Sequence, residues 1–185
     1  MDEDEACVSM CYCTVTEDNV NYLILGCVKN LKYHPSFQLT QPKIKTYVWD
    51  VKEGKATHFH ETEVEDIPMV LYAWKDKVLA GIGKCLRYYE VGHKHLLRKA
   101  EVKNLASPVN TIKTWGERIF ATEVNDSFHM YKYKAREQTF YDIADDVLNR
   151  YITTTAILDY HTMIGADKFE NIFISRVPQS NYYSM

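Results

Sequence analysis

Apolar and polar residues alternate along most of the chain in short runs rich in β-branched and aromatic side chains. That period of two is the signature of strands with one buried and one wet face; the 3.6-residue period of helices is scarce. The first block predicts strands over Ala6–Val15, Tyr22–Val28, Ile44–Val51 and Thr57–Val64, with turns at Glu17-Asp18-Asn19 and Lys52-Glu53-Gly54-Lys55. A second block gives Met69–Ala73, Lys77–Ile82, Cys85–Val91 and Leu96–Val102. The third gives Thr111–Trp115, Arg118–Glu123, Ser127–Tyr133 and Gln138–Ala144. A fourth holds Tyr151–Leu158, Met163–Asp167 and Ile172–Val177.

The blocks repeat. Their second strands align at Leu79, Phe120 and Ile164, spaced by 41 and 44 residues, within the roughly 40–50-residue period of four-stranded propeller blades. The interval from Leu23 to Leu79 is longer, and Leu31–Pro42 reads as an inserted loop that accounts for the excess. The expectation is an all-β fold: a β-propeller (WD-repeat-like) segment of about four antiparallel four-stranded blades. As one partial domain over 1–185, its blades would span 6–66, 67–106, 107–148 and 149–178.

Each blade buries its faces against neighbours on both sides, so four blades in an open arc leave apolar faces and strand edges in water. The fourth block also lacks an outer strand. These features predict an incomplete ring: a fragment, a split gene product, or a reduced protein completed by a partner. A closed four-bladed ring is the alternative, against the preference for larger rings.

Composition adds limits. Apolar residues make up 46% and aromatics 13%, with fourteen tyrosines, which supports a packed core of amphipathic strands. The net charge of −3 with scattered Lys and Arg gives no basic footprint for gripping a nucleic-acid backbone. The acidic Met1–Glu5 lacks the positive start of a signal peptide, and no window reaches the ~18 apolar residues of a membrane span. A soluble chain is expected. Five cysteines, Cys7, Cys11, Cys13, Cys27 and Cys85, are an odd count inside strand-like runs, and read as free core thiols in a reducing compartment. Alternation places Cys7, Cys11 and Cys13 on one side of the first strand.

Candidate chemistry is thin. His58-Phe59-His60 and His93-Lys94-His95 would make a zinc site only if they met in space. Neither carries a Cys or carboxylate at ligand spacing, so exposed strand-end residues are expected. Asp142, Asp145 and Asp146, with Asp159 and Asp167 further on, read as turn-fixing carboxylates rather than an acid–base pair. Gly81-Ile82-Gly83-Lys84 lacks the full phosphate-loop span and continues into a strand, so it reads as a hairpin turn with Gly at positive φ. No catalytic, cofactor or metal site is expected.

One stretch is more specific. Thr153-Thr154-Thr155-Ala156-Ile157-Leu158-Asp159-Tyr160, running into Gly165-Ala166-Asp167-Lys168-Phe169-Glu170-Asn171-Ile172, resembles the C-terminal propeller of a family of large scaffolds. That family includes splicing factor 3B subunit 3, the large propeller component of the cleavage and polyadenylation factor, and damage-specific DNA-binding protein 1. Gly81–Gly92, Ile143-Ala144-Asp145-Asp146, Leu96-Leu97-Arg98-Lys99 and Ala166-Asp167-Lys168-Phe169 carry the likeness onward, the last two favouring the splicing branch. Glu170 departs by standing where the family turn has Gly, which puts that turn's shape in question. The resemblance implies a non-enzymatic, nuclear scaffold of the splicing factor 3b complex in pre-mRNA splicing. It would grip two other subunits of that complex, one a large helical-repeat protein and one small and helical. Nucleic acid would be contacted only indirectly, with no small-molecule substrate. The alternative is an adaptor of a cullin-type ubiquitin ligase or of the mRNA 3′-end cleavage complex. Tyr33, His34 and Phe37, in the inserted segment, are the candidate partner-binding residues.

Overall fold

The computed structural model describes residues 4–16 and 19–177; the predicted turn residues Glu17 and Asp18, and Pro178, lie outside these. The described residues form fifteen strands and no helix, so none is long and apolar enough to cross a membrane. The strands are β1 Glu5–Val15, β2 Val20–Lys32, β3 Gln38–Asp50, β4 Lys55–Glu63, β5 Pro68–Trp74, β6 Lys77–Ile82, β7 Cys85–Val91 and β8 Leu96–Val102. They continue with β9 Val109–Trp115, β10 Arg118–Glu123, β11 Phe128–Lys134, β12 Thr139–Asp145, β13 Ile152–Asp159, β14 Thr162–Asp167 and β15 Ile172–Arg176. Each sheet is an antiparallel meander in which sequential strands are neighbours: β1 to β4, β5 to β8, β9 to β12, and the three-stranded β13 to β15. Meanders of this kind, none closed into a barrel, make the all-β fold that of a partial propeller.

The chain forms two compact units, Met1–Val109 and Asn110–Met185. In the first, alternate residues of both sheets supply one core: Cys11, Cys13, Ile24 and Ile44 meet Leu71, Val78 and Ile82. Polar ties join the same two sheets. Ser9 Oγ donates to the Pro68 carbonyl at 2.5 Å, and the Leu96 amide donates to Thr62 Oγ1 at 2.8 Å. In the second unit, Phe120, Phe128 and Met130 pack with Ile152, Met163 and Phe173. There Asn110 Nδ2 donates to the Ile152 carbonyl at 2.7 Å, fastening β9 beside β13.

Four expectations need correction. Leu31–Pro42 is not an inserted loop: β2 and β3 run on as one long hairpin, with Lys32 opposite Gln38. The apolar pattern hid this because the extension is polar and projects beyond the core. Cys7 does not share the core side with Cys11 and Cys13; a register shift between Cys7 and Ser9 turns it outward, and it is exposed. His60 is no exposed strand end, being 5% exposed with Nε2 3.0 Å from the Gly92 carbonyl. Finally, the turn at Glu170 keeps the left-handed backbone that suits glycine, at φ 68°. Asp167 holds it there, Oδ1 accepting from the amides of Phe169 at 2.8 Å and Asn171 at 3.0 Å.

Candidate partner-binding surface

The β2–β3 hairpin carries the sequence candidates at its tip. Asn30 and Gln41 sit at φ 51° and 47°, flanking a pairing broken by register shifts around Lys29. These irregularities twist the arm away from a regular ladder. Asn30 Nδ2 donates to Thr40 Oγ1 at 3.0 Å, tying the two strands below the tip. Beyond Lys32 and Gln38, Tyr33 is 72% and Phe37 54% exposed, with ring centroids 5.9 Å apart. His34 is exposed between them and precedes Pro35 through a cis bond. Two adjacent aromatic rings held in water are the kind of anchor that partner pockets bury.

A second apolar surface was not foreseen from the sequence. In β15, Phe173 points into the core while Ile172 and Ile174 on the opposite face are 74% and 64% exposed. Leu158 of β13, 52% exposed, adds to the uncovered apolar residues of this sheet. The alternation within Ile172–Ile174 was visible in the sequence, but the period shows only that the faces differ, not which is covered. On the first sheet, Met10 and Tyr12 are likewise 66% and 49% exposed beside the buried Cys11 and Cys13.

Three ion-pair clusters each contain a buried charged side chain. In the first unit, Lys45 Nζ lies 2.7 Å from Glu5 Oε2, with side chains 5% and 0% exposed; Lys43 and Glu61 extend the cluster. Burial pushes the Lys45 ammonium down, but Glu5 more than offsets this and holds its pKa above the ordinary value. Arg87 is buried between Glu65 and Glu101, both at 2.5 Å. Burial pushes Glu101 up, yet Arg87 and Lys103 outweigh it and hold that carboxyl low. In the second unit, His129 Nε2 is 2.9 Å from the fully buried Glu123 and Nδ1 is 3.5 Å from Asp142. The carboxylates of Asp142 and Glu123 beside it raise the imidazole to about 10.

The acidic residues therefore divide. Asp146, Asp159 and Asp167 fix turns by accepting amides of Leu148, His161, Phe169 and Asn171. Asp142 does not; it lies in β12 and faces the imidazole. Gly83 takes φ 49° in the β6–β7 turn, donating to the Ile67 carbonyl and accepting from the Val109 amide, both at 3.0 Å. Cys11, Cys13 and Cys27 are free buried thiols, raised by burial to about 12, 11 and 11, as core packing requires. His58, His60, His93 and His95 are not gathered as ligands. Among the described residues, the one group of three or more metal-type ligands is Glu123, Asp126 and His129.

Antiparallel meanders of three or four strands, with exposed aromatic and aliphatic side chains, define a propeller segment. Residues 1–185 match the model of the CPSF A subunit region throughout, and the chain belongs to that family. It is 37% identical over 183 residues to spliceosome-associated protein 130 A of Arabidopsis thaliana, covering 97% of this chain and 15% of that protein. It is 35% identical over 178 residues to the probable splicing factor 3B subunit 3 of Dictyostelium discoideum, covering 96% and 14%. Against splicing factor 3B subunit 3 of Danio rerio it is 35% identical over 179 residues, covering 96% and 15%. The chain thus spans about one seventh of the length of these curated relatives.

Proposed function

We propose that this chain is a non-enzymatic scaffold segment of the splicing factor 3b complex and supports pre-mRNA splicing in the nucleus. The observation that carries this is sequence identity of 35–37% across 96–97% of the chain to proteins named as splicing factors. The physical part of the reading is a rigid blade framework that presents side chains at fixed positions. Tyr33 and Phe37, with His34 between them, enter a pocket of the helical-repeat subunit, while the small helical subunit covers apolar blade surface. Such anchors release water from about 150–250 Å² per ring. RNA is reached through these partners, in keeping with the net charge of −3.

Depleting the chain from its own cells and sequencing the RNA tests the role. Retained introns should rise, and re-expression of the chain should restore splicing. Unchanged intron retention after depletion would remove splicing from the account.

A further inference from the structure

The cluster around His129 is built from three neighbouring strands. β10 ends at Glu123, whose amide donates to the Ser127 carbonyl at 2.8 Å to close the short connection to β11. His129 pairs with Ala121, two residues before Glu123, so strand alternation puts imidazole and carboxylate on the same face. Asp126 lies in the connection itself, and its carbonyl accepts the Arg150 amide at 2.6 Å. That bond fixes the segment from which its carboxylate projects. From β12, Asp142 pairs with Tyr131 and reaches His129 Nδ1 from behind.

We propose that Glu123, Asp126 and His129 bind one divalent transition-metal cation of the zinc(II) class, with Asp142 as the residue that orients the imidazole. One ligand atom from each of the three lies within 4.8 Å of the others. Ligands bonded to zinc at about 2.0–2.2 Å stand no more than roughly 4 Å apart, so closing onto an ion needs side-chain shifts below about 1 Å. A carboxylate on the far nitrogen of a ligating histidine fixes the ring and raises its basicity, the arrangement common around protein-bound zinc. Imidazole favours zinc-type ions over magnesium or calcium, which prefer all-oxygen shells.

Charge supports the same assignment. The carboxylates of the fully buried Glu123, the half-buried Asp126 and the exposed Asp142 face one imidazole, a concentration of negative charge. A divalent ion lowers that excess where burial makes it costly. Glu123 is 0% exposed whereas Asp126 is half-buried in the connection, so the ion has a solvent-side approach past Asp126. Three protein ligands leave a fourth position for water or for a side chain of a bound partner.

Calorimetric titration of the chelator-treated full chain with zinc chloride decides the matter. One equivalent should bind. His129→Gln and Asp126→Asn should each weaken binding at least tenfold, and Asp142→Asn about tenfold to a hundredfold with stoichiometry kept. Cobalt(II) in place of zinc should show ligand-field bands that Asp126→Asn removes. Failure to bind one equivalent, or binding unchanged in Asp126→Asn, overturns the assignment. Asp126 lies in the connection between strands, so its variant remains informative where His129→Gln fails to fold.

Discussion

Replacing Lys45 by Met exposes how the first unit tolerates a buried charge. Glu5 and Lys45 have side chains 0% and 5% exposed and are 2.7 Å apart. Removing one partner of a buried pair costs about 3–5 kcal/mol, because the other charge stays desolvated. Lys43, 3.6 Å from Glu5 Oε1, retains part of the compensation, which brings the expected loss to about 2–3 kcal/mol. For a chain of this size that is roughly 4–12 °C in Tm. The double variant Glu5→Met/Lys45→Met removes both charges, while Glu61 keeps Lys43 at 2.9 Å. It should unfold within about 1 kcal/mol of the unaltered chain. Urea denaturation followed by circular dichroism measures all three. A Lys45→Met loss under about 0.5 kcal/mol, or a double variant as weak as the single, refutes the reasoning.

Other outcomes follow from single sites. Burial holds the His60 pKa below its ordinary value, so the native state keeps the imidazole neutral. That stability is present above the unfolded pKa near 6.5 and is lost as pH falls through the folded value; His60→Gln should flatten the acid limb of a stability–pH curve. Glu170→Gly removes a side chain from a left-handed residue at φ 68° and should stabilise by about 0.5–1 kcal/mol, read by thermal melting. Thiol titration with an aromatic disulfide should label the exposed Cys7 at once, and Cys11, Cys13 and Cys27 only after unfolding. Tyr33→Ala/Phe37→Ala should leave Tm unchanged within about 0.5 kcal/mol, because both rings are exposed, and should weaken partner capture at least tenfold.

The strands themselves were legible. Runs such as Lys77–Ile82 and Arg118–Glu123 appear in the structure with the same ends, because tight turns bound them on both sides. Where the polar pattern outran the core, at Lys32 and Gln38, pairing continued on backbone hydrogen bonds that leave no apolar trace. Cys7 was misplaced because a single-residue bulge reverses every side chain beyond it, and no composition marks the bulge. The segment around Tyr33, His34 and Phe37 was legible only as turn-rich, aromatic and exposed. The His129 cluster was not, since Glu123, His129 and Asp142 lie on three different strands and meet only through register.

Affinity purification of the tagged chain from its own cells, with mass spectrometry and probing for spliceosomal small nuclear RNA, tests the central claim most directly. A splicing scaffold should recover the helical-repeat subunit of the splicing factor 3b complex together with the branch-site particle's RNA. Recovery of cullin-ligase or 3′-end cleavage subunits in their place, or of chaperones alone, contradicts it.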